Sequence, residues 1–513
     1  MAISQLFYSI CVFAPFTLMA ALAGLTRLTW ISTPRLWRLF QAVSFVVLAS
    51  TVISILAGAN AARWPGALTA TSLSLILALL VQLLGTVIGT FSARYLTGEV
   101  GQRRYAGALA AVLAGVHLLL MADHWLLLIA AWAFVGIALQ YLLCFYPDRP
   151  FALLAAHKKR IADRLADVML LGATSLAWLE VGNGSLSALW THIAKQGMSL
   201  PLQMSAVLLV LAVVLRTALL PVHGWLIQVM EAPTPVSALL HAGVVNLGGF
   251  VIIRFLPMLE QALPARILLL GFGLTTALLA GMVMLTRISI KVRLAWSTVA
   301  QMGFMLLECA LGLYTLAALH LIGHSIYKAH TFLSASTVVR QTRLQVLRGT
   351  SLPSTFSLVL APILTIFAVL LVLTVAGHSS WSWWWSCVLG LAWAPLLWLP
   401  TQQTDWPASI AQAFFGLVMV VVLTLAASAA HMLPLGLQDV PHRGLGLIVL
   451  TAMLGLYFFQ ALLQGRPTLL ARWRRWSYAG FYLDEAYTRL ALKSWSARWT
   501  SLASRNGERK SAI

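Results

Sequence analysis

Long hydrophobic stretches occur along almost the whole chain. Short segments that contain arginine, lysine, proline or glycine separate them. A helix that crosses the hydrocarbon core of a bilayer needs ~20 predominantly apolar residues. The pattern therefore predicts about fifteen transmembrane helices of this length and an all-α polytopic membrane protein. The predicted spans are residues 5–26, 40–60, 71–93, 105–122, 125–146, 166–180, 203–220, 236–256, 267–286, 294–312, 314–339, 356–377, 383–400, 411–431 and 444–464.

Two regions depart from a plain apolar span. Pro221 ends the seventh stretch, and because proline removes a backbone donor, a broken helix is expected there. Residues 181–200 are predicted to form a polar or interfacial loop. The composition supports the membrane interpretation, since 60% of the residues are hydrophobic and only 9% are charged, against roughly 25% charged in soluble domains.

Positive charge dominates, with 34 Lys and Arg against 14 Asp and Glu. These charges lie in short segments between apolar stretches, which argues against a nucleic-acid-binding face. They gather after the odd-numbered spans, so the positive-inside rule predicts a periplasmic N-terminus and a cytoplasmic C-terminus. The tail from Arg466 mixes tryptophans with arginines, which favours a helix lying on the cytoplasmic membrane surface. A solvated, partly ordered tail is the alternative for its last ten residues.

Candidate chemistry is scarce outside the spans. The four cysteines have no metal-ligand spacing, and no nucleotide, redox or iron–sulfur motif occurs in the sequence. No cofactor and no metal site are therefore predicted in this chain. Met1 opens directly into apolar sequence, which predicts a first span rather than a signal peptide.

Titratable residues inside the eleventh span are the main candidates for function. His320, His324 and Lys328 are spaced one helical turn apart, ~6 Å along a single stripe. Imidazole carries a donor and an acceptor and can pass protons on, and a desolvated lysine can release one. The pattern favours a proton wire. The alternative is that the histidines bind buried carbonyls and Lys328 extends toward the membrane surface.

Polar residues also cluster around the predicted helix break. Arg216 lies just before Pro221, and Glu231 and His241 follow in a proline-containing segment that enters the eighth span. Irregular backbone at membrane depth is tolerated only where it lines protein or a water-filled cavity. The break therefore predicts a second part of the path, with helix capping as the alternative role for Glu231 and His241.

Four strings in the middle of the chain resemble the antiporter-like membrane subunits shared by respiratory complex I (its L-type subunit) and Mrp cation/proton antiporters. They are LLPVHGWL, MEAPTPVSALLHAG, IKVRLAWSTVAQMGFM and HLIGHSIYKAHTFL. The resemblance implies two inverted repeats of five helices, with broken helices near the midplane. The implied segments are 1–104 (N-terminal helices), 105–256 and 257–400 (the repeats), 401–465 (C-terminal helices) and 466–513 (the tail).

The resemblance also implies roles for single residues. Arg216 falls where the family has a lysine in the seventh helix, and a basic loop is expected to supply supporting charges. The implied proton path comprises Arg216, Glu231, His241, Lys291, His320, His324 and Lys328, with Lys158, Arg164 and Asp167 as supporting charges. The sequence departs from the family at Trp132-Ala133, where a glutamate is expected after the tryptophan, and no lysine occurs between Ser354 and Gly377.

The C-terminal string GFYLDEAYTRL resembles the end of the L-type subunit. An L-like chain that is this short after that string, and that has the two departures above, is similar to the DabB family of bacterial inner-membrane subunits. This resemblance implies a subunit, not itself an enzyme, that conducts protons or another cation to energise carbon dioxide or bicarbonate accumulation. The implied partner is a soluble DabA-like protein that holds zinc and docks on the cytoplasmic face. An Mrp-type antiporter subunit and a proton-pumping subunit of a complex I-like redox enzyme remain the alternatives.

Overall fold

A computed structural model describes residues 2–58, 62–64, 66–335, 352–377, 381–401, 406–465 and 470–494. Helices account for most of them. Their bounds are α1 Ala2–Leu25, α2 Thr33–Leu56, α3 Ser72–Tyr95, α4 Gln102–Met121, α5 Trp125–Leu143, α6 Pro150–Val181, α7 Leu186–Gln196, α8 Leu200–Arg216, α9 Gly224–Gln228, α10 Thr234–Ala242, α11 Leu247–Arg254, α12 Leu256–Gln261, α13 Leu263–Leu285, α14 Ile290–Leu311, α15 Tyr314–Leu333, α16 Thr355–Val375, α17 Trp383–Trp393, α18 Trp406–His431, α19 Arg443–Gly465, α20 Ala471–Tyr478 and α21 Leu483–Lys493.

The described chain forms two compact units. One comprises Met1–Ala310, His320–Ala335 and Tyr482–Ile513, and the other comprises Leu311–Leu319 and Ser336–Phe481. In the first unit, a hairpin of two two-residue strands, β1 Arg63–Trp64 and β2 Leu68–Thr69, is the only sheet among the described residues. The fold is therefore all-α, as the hydrophobic pattern predicts.

Each predicted span coincides with a helix or with consecutive helical segments. Ten helices of the described part are long and apolar enough to cross a bilayer, and three shorter apolar segments, Ile10–Leu25, Leu200–Arg216 and Trp383–Leu397, accompany them. The two predicted spans outside both groups lie in α6 and α15. Residues 336–339 of the eleventh span, and residues 466–469 and 495–513 of the predicted tail, lie outside the described residues.

The break in the seventh span is confirmed. Ser199 caps the start of α8, α8 ends at Arg216, and the chain crosses Pro221 before α9 begins. The eighth span, which the hydrophobic pattern predicts as a continuous helix, is also interrupted. A 3-10 turn, Val244–Asn246, separates α10 from α11. The side chain of Asn246 donates a hydrogen bond to the Ala242 carbonyl at 2.9 Å, which satisfies one of the acceptors that the break exposes.

Two loop predictions are wrong. The predicted basic loop is part of α6, one continuous helix of 32 residues that contains Lys158, Arg164 and Asp167. The helix has a proline in its first turn, and Gly182, with a φ of 77°, follows its last residue. Residues 181–200 contain the amphipathic helix α7. In α6 the run of charged residues suggested a loop because the partner of Lys158, Asp484, lies in a distant part of the chain.

Close backbone packing fixes α14, which carries several candidate residues. A Cβ added at Gly303 would lie 2.8 Å from the carbonyl oxygen of Gly273 in α13. Only glycine allows this approach between the two helices. In the other unit, the Tyr457 hydroxyl donates to the Leu358 carbonyl at 2.8 Å and ties α19 to α16.

Candidate functional site

The three titratable residues of α15 lie together in the interior. The ring centroids of His320 and His324 are 6.1 Å apart, and the planes are inclined by 67°. His324 and Lys328 are buried, with 7% and 1% of their surfaces exposed. The predicted stripe is therefore a real row of neighbouring side chains, spaced at one helical turn.

Lys328 is held by α14. Its ammonium group donates to the carbonyl oxygen of Leu294 at 2.9 Å and to the hydroxyl of Ser297. None of the ion pairs among the described residues includes Lys328. A buried ammonium group bound only by neutral acceptors lacks the compensation that a carboxylate would give, so its charged form is expensive.

His241 joins this row from α10. Its ring stacks on Phe332 of α15 with a centroid distance of 4.7 Å, and it lies within electrostatic range of His324 and Lys328. Within the described part of the chain, neither ring nitrogen of His241 or His324 has a hydrogen-bond partner. Buried polar atoms are normally paired with protein or water. Both rings therefore have the capacity to bind water within the row.

An acidic residue that sequence reasoning missed completes the row. Glu308 of α14 is 4% exposed, and its Oε2 lies 2.9 Å from Nδ1 of His320. A carboxylate inside a span costs about 3 kcal/mol at the centre of a helix. That rule, applied to the tenth span as it was to the eleventh, finds Glu308 from the sequence alone.

Arg216, which is buried, forms a separate ion pair with Asp167. The guanidinium group donates to Oδ1 of Asp167 and lies 4.6 Å over the ring of Trp132. Arg164, whose side chain is 65% exposed, lies 3.5 Å from the same carboxylate. The residue after Trp132 is Ala133, where a glutamate is expected from the family resemblance. The carboxylate that pairs with Arg216 is that of Asp167 in α6.

A cavity opens beside this pair. It has a volume of about 560 Å³, and Ala133, Asp163 and Asp167 are among its lining residues. Asp163 also pairs with Lys159 one turn earlier in α6. This second pair was not predicted, since the sequence offers no sign of which side of α6 is buried.

Lys158 is fully buried and bound by the C-terminal helix α21. Its ammonium group lies 2.6 Å and 2.7 Å from the two carboxylate oxygens of Asp484 and 2.9 Å from the hydroxyl of Thr488. The structure therefore places this predicted supporting charge in the interior, in contact with a helix more than three hundred residues further along the chain.

Two predicted path residues lie apart from these clusters. Glu231 is exposed at the end of a 3-10 turn, and its carbonyl oxygen, rather than its carboxylate, accepts a hydrogen bond from Arg149 at 2.7 Å. Lys291, in the first turn of α14, donates to the hydroxyl of Thr234 at 3.2 Å. Lys291 therefore connects α14 to the start of α10.

Comparisons with known proteins identify the family to which the chain is related. The family described as NADH:quinone oxidoreductase/Mrp antiporter, transmembrane part, matches residues 122–395. The chain is 38% identical to the probable inorganic carbon transporter subunit DabB of Hydrogenovibrio crunogenus, over 85% of this chain and 84% of that protein. It is 32% identical to NADH-quinone oxidoreductase subunit L of Mycobacterium tuberculosis, over 52% of this chain and 42% of that protein.

Solved structures share the fold. The Mrp complex from Dietzia sp. matches with a TM-score of 0.55 and 20% identity, and the alignment covers 99% of this chain and 59% of that chain. A chain of the archaeal membrane-bound sulfane sulfur reductase matches with a TM-score of 0.60 and 17% identity, covering 94% of this chain and 99% of that chain.

Proposed function

The chain belongs to the family of NADH:quinone oxidoreductase and Mrp antiporter membrane subunits, and we propose that it conducts protons to energise inorganic carbon accumulation by a soluble partner. The partner is a DabA-like protein that holds zinc and docks on the cytoplasmic face. Support for the carbon substrate comes from the similarity to transporter subunits named DabB. This chain carries the ion path, and any carbon chemistry belongs to the partner.

The observation that carries the proposal is the buried row of Lys328, His324, His320 and Glu308, with His241 beside it. The three members on α15 are about one helical turn apart, a gap that one water molecule can bridge, and Glu308 contacts His320 directly. Each neutral imidazole offers one donor and one acceptor, so a proton taken on one ring nitrogen is released from the other. A row of this kind passes protons without moving a side chain far.

The two ends of the row have complementary chemistry. At one end, neutral contacts hold Lys328 and give its ammonium group no carboxylate to stabilise it. At the other end, the Glu308 carboxylate lies 2.9 Å from Nδ1 of His320 and offers a proton that arrives there an anionic partner. A proton therefore moves from a position of poor stabilisation toward one of better stabilisation. For protons to keep flowing, a change in the partner or in the membrane potential must restore the difference in proton stabilisation between the two ends of the row.

Co-expression of this chain with a DabA-like partner in a carbonic-anhydrase-deficient bacterium tests the proposal. The pair should restore growth in air, and an uncoupler should abolish bicarbonate uptake. Lys328→Ala and His324→Ala should abolish growth, because each interrupts the row. His330→Ala is the matched control, since His330 is an exposed histidine of the same helix.

Assembly is measured in parallel by co-purification of the zinc-containing partner. Full growth with both Lys328→Ala and His324→Ala would contradict conduction through the row. Purification of the chain only with other antiporter-like membrane subunits, and never with a zinc protein, would favour the Mrp-type or complex I-type alternative.

A further inference from the structure

A second buried titratable cluster lies outside the row on α15. It consists of Lys158 of α6, Asp484 of α21 and His223, which precedes α9. Lys158 and His223 are 0% and 1% exposed, whereas the side chain of Asp484 is 27% exposed. Asp484 is therefore the member of the cluster that water reaches.

The cluster is tightly built. A Cβ added at Gly224 would overlap the Asp484 carboxylate, so the backbone of α9 is in direct contact with that group. The Tyr487 hydroxyl donates to the carbonyl oxygen of Lys158, and burial raises the pKa of Tyr487, so this hydroxyl stays protonated and does not titrate. The tyrosine anchors α21, and the carboxylate of Asp484 meets the buried ammonium group.

His223 extends the cluster toward α14. Its ring centroid lies 4.8 Å from that of Trp296, the residue next to Ser297, which binds Lys328. The charged groups that act on His223 are Asp484, Lys158 and Arg287. Arg287 lies over the same Trp296 ring, 5.4 Å from its centroid. Within the described residues, Nδ1 of His223 has no hydrogen-bond partner.

We propose that Asp484, Lys158 and His223 form the proton-uptake station of the path, with the C-terminal helix supplying the carboxylate that exchanges protons with water. A proton that reaches Asp484 neutralises the carboxylate and breaks its ion pair with Lys158. The Lys158 ammonium group then gives its own proton toward Nδ1 of His223 through water, and the amine takes the proton from Asp484. From His223 the proton passes along α14 to Lys328.

Arg216 makes a separate station necessary. A guanidinium group stays protonated in proteins and cannot relay a proton. The position beside Trp132, where the lysine of the family would titrate, is thus closed to relay. The inference rests on the proposed function, because it supplies protons to the row described there.

The test measures proton flux in liposomes that contain the purified complex of this chain with its co-expressed partner, driven by a potassium diffusion potential and followed with an internal pH dye. Asp484→Asn should lower the initial flux at least about tenfold, as expected when a proton-transfer group is lost. Asp484→Glu should retain most of it. His223→Gln, which leaves the α21 contacts intact, should lower the flux as Asp484→Asn does.

Two controls separate relay from anchoring. Glu485→Gln removes an exposed acid of the same helix and should leave the flux unchanged. Tyr487→Phe removes an anchoring hydrogen bond without removing a titrating group and should also leave it unchanged. A loss with Tyr487→Phe equal to that with Asp484→Asn would assign α21 a purely structural role and overturn the proposal.

The remaining outcomes are also decisive. If Asp484→Asn fails to assemble, His223→Gln decides, and unchanged flux in that variant overturns the station. If Lys328→Ala shows no proton flux while Asp484→Asn and His223→Gln conduct normally, the proposed uptake station is wrong and conduction through the row on α15 is supported. If Lys328→Ala itself conducts normally, the proposed function falls.

Discussion

At the scale of single residues, the partners of each buried charge decide what it can do. Lys328 has neutral partners, Lys158 has a carboxylate, and Arg216 has a carboxylate and an aromatic ring. Of these three cations, Lys328 therefore has the weakest stabilisation of its charged form. The ability to release a proton follows from that difference rather than from residue type alone.

Glu308 gives a first prediction at this scale. Glu308→Gln keeps a hydrogen-bonding group beside His320 but removes the negative charge next to the imidazole. We expect proton flux in liposomes to fall about tenfold or more, the size of effect associated with a missing proton acceptor. Glu308→Asp should restore part of the flux, and Glu260→Gln, in α12, serves as the control for loss of an acid elsewhere. Equal flux in Glu308→Gln and the original protein would remove Glu308 from the path.

Arg216 gives a second prediction. The guanidinium group is expected to act as a fixed positive charge beside Asp167. Arg216→Lys preserves the charge and should retain part of the carbon-dependent growth, whereas Arg216→Ala leaves only the exposed Arg164 as a partner of Asp167 and should abolish growth. Arg164→Ala removes only the exposed partner of the same carboxylate and should grow normally. Normal growth of the alanine variant at position 216 would exclude this role.

At the scale of elements, the hydrophobic pattern predicts the helices well because lipid leaves few alternatives. Every backbone polar group in the membrane must be satisfied internally, so a long apolar stretch forms a helix. The break at Pro221 can also be predicted from the sequence, because proline cannot donate a hydrogen bond. The break at Val244–Asn246 cannot be predicted in this way, because the Asn246 side chain that stabilises it donates a hydrogen bond to Ser325 of α15 at 2.7 Å.

Helix α6 shows the limit of prediction at this scale. Its charged residues suggest a loop when they are considered alone, yet Lys158 and Lys159 are buried and paired. Their partners are Asp484, far along the chain, and Asp163, one turn away. The candidate site is predictable from the sequence where one helix carries it, as α15 does, and unpredictable where two distant helices build it together. The family resemblance supplies positions for the residues but not these pairs.

At the scale of the whole molecule, the distribution of arginines makes an orientation prediction. Fusion of an alkaline phosphatase to the N-terminus and, separately, to the C-terminus should give periplasmic activity only at the N-terminus, and a fluorescent protein that folds only in the cytoplasm should report at the C-terminus. Helix α20 carries Arg472, Arg474 and Arg475 on an exposed segment, which the positive-inside rule expects on the cytoplasmic side. Phosphatase activity from the C-terminal fusion would reverse the orientation and the expected docking face.

The salt bridge between Lys158 and Asp484 also has a consequence for biosynthesis. The two residues are 326 positions apart, so a ribosome that feeds the chain into the membrane delivers the lysine long before its counterion. Until Asp484 has been made, the newly inserted protein carries Lys158 without this counterion. Docking of α21 is therefore the step of biosynthesis that closes the α6 site.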